Sequence, residues 1–434
     1  MDAPLRSLMK NPRRYRFKME EQNVPQLRFP EFKENWNRSF IGDHYSNLRT
    51  GMTPYRGKPE YYDGDIPWIS SGELNYGYIF DTAEKITEEA VKETNLIVYP
   101  IGTFFIAITG LEAPGTRGKC AINGVPAATN QSCMAFREVE GLSTKFLFYW
   151  YHKYGVKLYF EYAQGTKQQS FNNKLVEIFP ISHPKKSEQQ KIASFLSAVD
   201  KKIEQLTRKK ELLEEYKKGV MQKLFPKPGE QHPELRFKDE NGEDFPDWEV
   251  KRLGEVGKFS KGKGISKKDI DEGGKYPCIR YGELYTEYKE LIDEVVSNTN
   301  LDTKKLTLSQ RNDVLIPSSG ETHIDIATAS CILKDDVILG GDINILRSKV
   351  NGIFLSYLLN NAYKFRIANL AQGNSVVHLY SSQLKSLEVS LPTNNEQKRI
   401  VNFLTNIDEK INSVEESIQK TQTFKKGLLQ QMFV

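Results

Sequence analysis

EQQKIASFLSAVDKKIEQLTRKKELLEEYKKGVMQKLF, Glu188 to Phe225, and EQKRIVNFLTNIDEKINSVEESIQKTQTFKKGLLQQMF, Glu396 to Phe433, align without a gap at an offset of 208 residues. They share Glu188/Glu396, Gln189/Gln397, Ile192/Ile400, Phe195-Leu196/Phe403-Leu404, Asp200/Asp408, Lys202-Ile203/Lys410-Ile411, Lys217-Lys218-Gly219/Lys425-Lys426-Gly427 and Phe225/Phe433. Neither stretch contains proline; Pro184 and Pro392 stand just before them, and Pro226, Pro228 and Gly229 follow the first. That punctuation predicts two long helices. In the first, Val199, Ile203, Leu206, Leu213, Val220 and Leu224 fall at alternating spacings of three and four, with Lys210 and Lys217 at two positions of the same seam. In the second the seam is Ile407, Ile411, Val414, Ile418, Leu428 and Met432, with Thr421 and Lys425 as its weak positions. A lone helix with such a stripe is unstable in water, and the matching stripe in this chain is the other copy. The two are therefore predicted to pair as an antiparallel coiled coil, a rod of about 57 Å at 1.5 Å rise per residue. Two ordinary core helices of separate domains remain an alternative, but that reading gives no reason for the recurrence.

Outward from the helices the duplication continues. Leu27-Arg28-Phe29 returns as Leu235-Arg236-Phe237, Pro67 and Gly72-Glu73-Leu74 as Pro277 and Gly282-Glu283-Leu284, and Ala163-Gln164-Gly165 as Ala371-Gln372-Gly373. Each copy thus begins with about 150 residues of other material. These parts mix short β-branched and aromatic runs with Gly, Pro, Asn and Asp. Asp65 to Ser70, Gly102 to Thr109, Lys275 to Arg280 and Asp313 to Pro317 read as strands, and Thr144 to Leu158 and Phe354 to Asn369 as helices. The fold class is α+β: two globular parts of mixed strands and short helices joined by two long helices in a pseudo-two-fold tandem repeat. The expected boundaries are a basic tail over 1–25, a globular part over 26–184, a long helix over 185–225, a linker over 226–234, a second globular part over 235–392 and a second long helix over 393–434.

The 434 residues exceed one comfortable core, and the net charge of +5 permits nucleic-acid binding without establishing it. The best apolar stretch, Leu96 to Ile108, is interrupted by Pro100 and Gly102, so a membrane span is not expected. Arg6, Lys10, Arg13, Arg14, Arg16 and Lys18 are followed by no apolar run, so no secretory signal is expected, and a cytoplasmic location is. Cys120, Cys133, Cys278 and Cys331 lie too far apart for a metal site or a disulfide framework, and buried free thiols are expected. The six histidines (His44, His152, His183, His232, His323 and His378) show no paired spacing. No GxxxxGK[ST] loop and no Gly-x-Gly-x-x-Gly is present.

A duplicated chain whose helices align throughout while its globular parts share only scattered anchors suits two readers of different DNA half-sites held by a common spacer. The residues also carry a resemblance. In the first copy the pieces are Thr50-Gly51-Met52-Thr53-Pro54, Tyr62-Asp63-Gly64-Asp65-Ile66-Pro67-Trp68-Ile69, Thr129-Asn130-Gln131-Ser132, Gly165-Thr166-Lys167-Gln168, and Pro184 with Glu188-Gln189-Gln190-Lys191-Ile192. The second copy keeps Gly373-Asn374-Ser375, and Pro392 with Glu396-Gln397-Lys398-Arg399-Ile400, but has Tyr276-Pro277-Cys278 where the first has Ile66-Pro67-Trp68. Over about Leu27 to Val434 the chain resembles the specificity subunits of type I restriction-modification systems, built as target-recognition domain, helix, target-recognition domain, helix. The resemblance implies double-stranded DNA as ligand and two methyltransferase subunits bound through the helices. These methylate adenine N6 in each half-site with S-adenosylmethionine. It also implies two restriction-translocase subunits using ATP and Mg2+. No catalytic centre and no cofactor are then expected in this chain, nor the Asn/Asp-Pro-Pro-aromatic tetrapeptide of adenine methyltransferases. Two alternatives stay open: a related system in which nuclease and methylase share one partner chain, and a non-catalytic coiled-coil adaptor.

Base readers and phosphate anchors are expected among polar and basic loop residues. In the first head these are Arg49, Thr53, Tyr55, Arg56, Ser70, Ser71, Glu73, Arg117, Lys119, Asn130, Gln131, Lys167, Gln168 and Gln169. In the second they are Lys261, Lys263, Lys267, Lys268, Arg280, Tyr281, Glu283, Ser319, Thr322, His323, Asn374, Ser375 and His378. Trp68, after Ile-Pro in a strand, is expected in the core.

Overall fold

A computed structural model describes residues 23–227, 230, 232–373 and 376–434. The basic stretch Arg6 to Lys18 and the pair Asn374-Ser375 lie outside the described residues. The chain divides into two units, 1–206 with 417–434, and 207–416. The long helices, Lys186–Leu224 and Asn394–Gln431, are therefore each shared: each unit owns part of both.

In the first unit a five-stranded sheet runs Arg49–Thr50, Cys133–Phe136, Phe104–Ala107, Cys120–Asn123, Tyr78–Ile79; its last pairing is parallel and the others antiparallel. The three central strands are buried at every residue, which is why they read as unbroken apolar runs rather than alternating ones. A smaller sheet runs Lys85–Ile86, Ile66–Ile69, Ala128–Thr129. The helix Thr144–Tyr162 packs the aromatic residues Phe146, Phe148, Trp150 and Tyr151 into the core. The second unit repeats the plan. Its five-stranded sheet runs Gly257–Lys261, Ile343–Ser348, Val314–Pro317, Ser330–Ile332, Leu291–Ile292, again parallel only at the last pairing. A four-stranded sheet runs Ser297–Thr299, Tyr276–Ile279, Ile338–Leu339, Thr307–Leu308. All four cysteines are buried free thiols, and Trp68 is buried beside Tyr61, Ile86 and Ala128.

One expected helix is two. Phe354 to Asn369 breaks into Gly352–Asn361 and Lys364–Leu370. Tyr363 sits at the break with its ring buried, and its hydroxyl accepts the Ser390 N–H at 2.9 Å. Tertiary packing of one side chain outweighs a continuous helical period.

In each unit the part-helices lie against each other in antiparallel sense. The first unit pairs Lys425 Nζ with Asp200 Oδ1 at 2.6 Å and buries Leu196 and Val199 in one cluster with Leu428 and Met432. The second pairs Lys217 Nζ with Asp408 Oδ1 at 2.7 Å and Lys210 with Glu415, and buries Met221 and Leu224 with Ile400 and Leu404. Along the first helix after Val199, the seam positions Ile203, Leu206, Leu213 and Val220 are half-buried amid mostly exposed neighbours; in the second, Ile407, Ile411, Val414, Ile418 and Leu428 are buried.

Each globular part is clamped to its helix by one repeated constellation. Glu188 accepts from Arg28 Nε (2.7 Å), Arg28 Nη2 (2.8 Å) and Trp36 Nε1 (3.3 Å). Glu396 accepts from Arg236 Nε (3.0 Å), Arg236 Nη2 (2.8 Å) and Trp248 Nε1 (3.2 Å). Beside them Phe29 meets Phe195 and Phe237 meets Phe403, while Leu27 N–H donates to Gln431 O and Leu235 N–H to Lys223 O. The recurrent Leu-Arg-Phe and Glu-Gln motifs are thus two halves of one joint.

His152 is half-buried and stacked on Tyr76, ring centroids 5.0 Å apart. Burial, with Lys425 nearby, holds its pKa down at about 4. The folded state stays neutral where the unfolded chain, with an ordinary histidine pKa near 6.5, takes up a proton. Stability is therefore complete above about pH 6.5 and is lost as pH falls toward about 4, by up to about 3 kcal/mol. His152→Phe is expected to flatten that acid limb in urea melts recorded from pH 7 to 4; an unchanged slope would exclude His152 as its source.

Candidate nucleic-acid interface

Three expected contact loops of the first head converge at one end of the sheets. Gly51 N–H donates to Asn130 O (3.1 Å), Asn130 N–H to Ile69 O (3.0 Å) and Ser71 N–H to Ser132 Oγ (3.1 Å). Thr53 Oγ1 donates to Gln131 Oε1 at 2.5 Å. A Cβ at Gly51 would stand 1.6 Å from Thr129 O, so only glycine lets this loop pass beneath its neighbour. The loops carrying Arg117, Lys119, Lys167, Gln168 and Gln169 form a second group, joined where Leu111 N–H donates to Gln169 O (3.1 Å). Ile108 N–H donating to Ser132 O (2.9 Å) and Phe171 N–H to Ile108 O (2.8 Å) tie the two groups into one face.

Within that face the side chains differ in freedom. Arg49, Tyr55, Gln131, Lys167 and Gln168 are exposed. Arg56 pairs with Glu84 at 2.5 and 2.8 Å and lies over the Tyr62 ring at 4.2 Å; the Glu84 bond raises its pKa. Arg117 donates to Leu111 O and Glu112 O and covers the Tyr159 ring at 4.6 Å, so it braces the loop and presents only part of its guanidinium. Gln169 accepts from Tyr159 OH. Half-buried Lys119 closes its turn by donating its backbone N–H to Thr116 O at 3.2 Å.

The second head places its loops alike. Gly262 N–H donates to Ile343 O (3.0 Å), Lys263 N–H to Leu339 O (2.9 Å) and Gly340 N–H to Ile279 O (2.9 Å). Lys261, at the end of the edge strand, and Lys263, Lys267 and Lys268, in the segment after it, are all exposed. Ser319 and His378 face each other across a two-stranded ribbon, Oγ to Nδ1 3.1 Å, and His378 stacks on Tyr380 with Lys261 Nζ 6.0 Å from that ring. Thr322 donates to Asp325 Oδ2, and His323 and Tyr281 are exposed.

Glu73 and Glu283 prove to be inward-facing braces. Glu73 Oε2 accepts from Ser70 N (2.5 Å) and Oγ (2.7 Å). Glu283, 3% exposed, accepts from Arg280 N (2.9 Å), Nε (3.0 Å) and Nη2 (2.8 Å) and from Ser297 Oγ (2.7 Å). Their shared Gly-Glu-Leu closes one turn in both copies, while the residue it closes on differs, Ser70 in one and Arg280 in the other. Ser319 is likewise buried, at 6% exposure, because its loop has become a strand. The buried Glu283 carboxylate, already satisfied by its own chain, is not offered to a ligand, while half-buried Glu73 is engaged by its own turn.

Among the described residues no group of three or more His, Cys, Asp or Glu is placed to hold a metal ion, and no helix is long and apolar enough to cross a membrane.

The family model for the type I restriction modification DNA specificity domain matches this chain twice, over residues 33–215 and 246–422. The chain belongs to the type I DNA specificity family. Each match takes in one head and most of the long helix behind it. Among curated relatives, the type I restriction enzyme MjaIX specificity subunit of Methanocaldococcus jannaschii is 29% identical over 67% of this chain and 70% of its own. The putative MjaX specificity subunit of the same organism is 26% identical over 94% and 95%. Among solved structures, the type I restriction-modification S subunit of M. genitalium aligns with TM-score 0.57 at 17% identity, covering 95% of this chain and 99% of that one. A chain from a structure of type I restriction-modification complex assembly and conformational transition gives TM-score 0.52 at 18% identity, over 91% and 96%.

For this specificity-family chain, sequence reasoning missed the Trp36 and Trp248 indoles that complete the two joints. Their offset of 212 rather than 208 residues, across loops of unequal length, hid the correspondence.

Proposed function

We propose that the chain is the DNA-reading subunit of a type I restriction-modification complex, taking one half-site of a bipartite, asymmetric sequence with each head. What supports this is a single observation: one framework of loops, closed by the same backbone bonds at Asn130/Gly340 and the same Glu73/Glu283 brace, carries different side chains in the two copies. Two readers of the same groove geometry need such a common frame and unlike contact groups. The exposed lysines and arginines supply sequence-independent attraction to phosphates, and Gln131 and Tyr281 have the chemistry to meet base edges.

In this reading the partner set is two methyltransferase subunits, which flip the target adenine out of the stack and methylate N6 with S-adenosylmethionine. Two restriction-translocase subunits use ATP and Mg2+. This chain contributes positioning and no bond-making group, and it works in the cytoplasm beside the DNA. Co-expression with a methyltransferase subunit, followed by mapping of N6-methyladenine, is expected to give one motif of two short specified blocks with a degenerate spacer. A contiguous motif, or no methylation with an active partner, sinks the reading. The adaptor reading predicts instead no salt-dependent affinity for duplex DNA.

A further inference from the structure

The helix seams each carry charge where apolar residues are the rule. Lys217 and Lys425 are 14% and 13% exposed, and they pair with Asp408 and Asp200 at 2.7 and 2.6 Å. Each aspartate also accepts from a buried tyrosine, Asp200 from Tyr149 OH at 2.8 Å and Asp408 from Tyr357 OH. Burying such groups costs desolvation, and apolar residues of like volume would serve stability as well or better. Their placement gives them a different value. Lys217 and Lys425 occupy the same repeat position, as do Asp200 and Asp408. Antiparallel pairing therefore sets Lys on Asp twice, whereas in-register parallel pairing would set Lys on Lys and Asp on Asp in a seam where the lysines are largely, and the aspartates partly, withdrawn from water.

We propose that the Lys217–Asp408 and Lys425–Asp200 pairs are the determinants of orientation and register in the helix pair, selecting the antiparallel arrangement by penalising the parallel one. A single register holds wherever ion pairs report it: the residue numbers of facing partners total 625 for 210 with 415, 217 with 408 and 200 with 425. These two part-buried pairs do not choose which helix meets which. Two first helices from separate chains, laid antiparallel, would also match Lys217 with Asp200. That choice falls to Lys210–Glu415, whose repeat counterparts are Ile418 and Thr207, so it forms only between unlike helices. At 32% and 37% exposure it is the weaker device.

The test exchanges charges. Asp200→Lys with Lys425→Asp keeps every antiparallel pair opposite in sign but makes the parallel arrangement equally matched, 200 with 408 and 217 with 425. Adding Lys217→Asp and Asp408→Lys restores the penalty; Glu290, which also lies 3.4 Å from Lys217 Nζ, is replaced by Gln in the parent and every variant so that no carboxylate opposes the exchange. Lys210→Cys and Glu415→Cys, bridged by a short bis-maleimide in the full chain refolded from urea, report the antiparallel register; the native cysteines are buried. The single exchange is expected to lower the intramolecular crosslink yield at least about threefold, and the double exchange to recover it. A single exchange that crosslinks like its parent, or a double exchange as poor as the single, overturns the proposal, because a merely structural ion pair would suffer equally in both.

Discussion

Replacing Glu396 by alanine is expected to cost about 3–5 kcal/mol of stability. The side chain is 1% exposed and holds the Arg236 guanidinium, itself 17% exposed, together with the Trp248 indole N–H. Truncation leaves a nearly buried cation and a buried donor without partners, and the penalty of the orphaned charge exceeds the worth of the bonds lost. Glu188→Ala removes the equivalent hold on Arg28 and Trp36 and is expected to act on the first unit as Glu396→Ala acts on the second. Urea melts of the full chain, followed by tryptophan fluorescence, read both. The double variant Arg236→Leu/Glu396→Leu is expected to recover most of the loss, since no charge is stranded. A loss below about 1 kcal/mol for Glu396→Ala would show that Arg236 finds water or another carboxylate, and the joint would not be the clamp described.

The parts of this fold that were legible in the sequence are those where one physical demand repeats at one spacing. Glu188 and Glu396, the Leu-Arg-Phe triplets and the seam residues serve the same joint in both copies, so substitution is constrained twice and alignment exposes it. Ala-Gln-Gly is legible for a sharper reason: Gly165 and Gly373 both sit at φ +116, a backbone region closed to side chains. Lys217 and Lys425 were readable as blemishes in a stripe but not as ion pairs, because their partners lie across an antiparallel register that only three dimensions reveal. The same holds for the candidate interface. Loop composition pointed to Glu73, Glu283 and Ser319, yet whether a polar side chain faces out or braces its own turn depends on backbone closure that local sequence does not report. Arg56 and Arg117 lie between, partly spent on Glu84 and on carbonyls of their own loop.

The second large effect separates affinity from reading. Removing Arg49, Lys167 and Lys119 together as alanines from the first head is expected to weaken binding to every duplex alike and to lower the slope of log K against log salt by about 3, near one unit per lost phosphate contact. Lys261, Lys263 and Lys267 in the second head are expected to give the same slope change. Gln131→Ala should behave differently. Gln131 is an exposed amide steadied by the Thr53 hydroxyl, and its loss removes direction rather than charge. Its cost is about 1–3 kcal/mol on the cognate site, with relaxed choice at one base pair of one half-site and no change in salt slope. Fluorescence titrations at several salt concentrations, against duplexes altered in one half-site at a time, distinguish the two classes. The two-reader model fails if Gln131→Ala relaxes both half-sites equally, since two heads with separate frames have no route by which one glutamine could alter the other's choice.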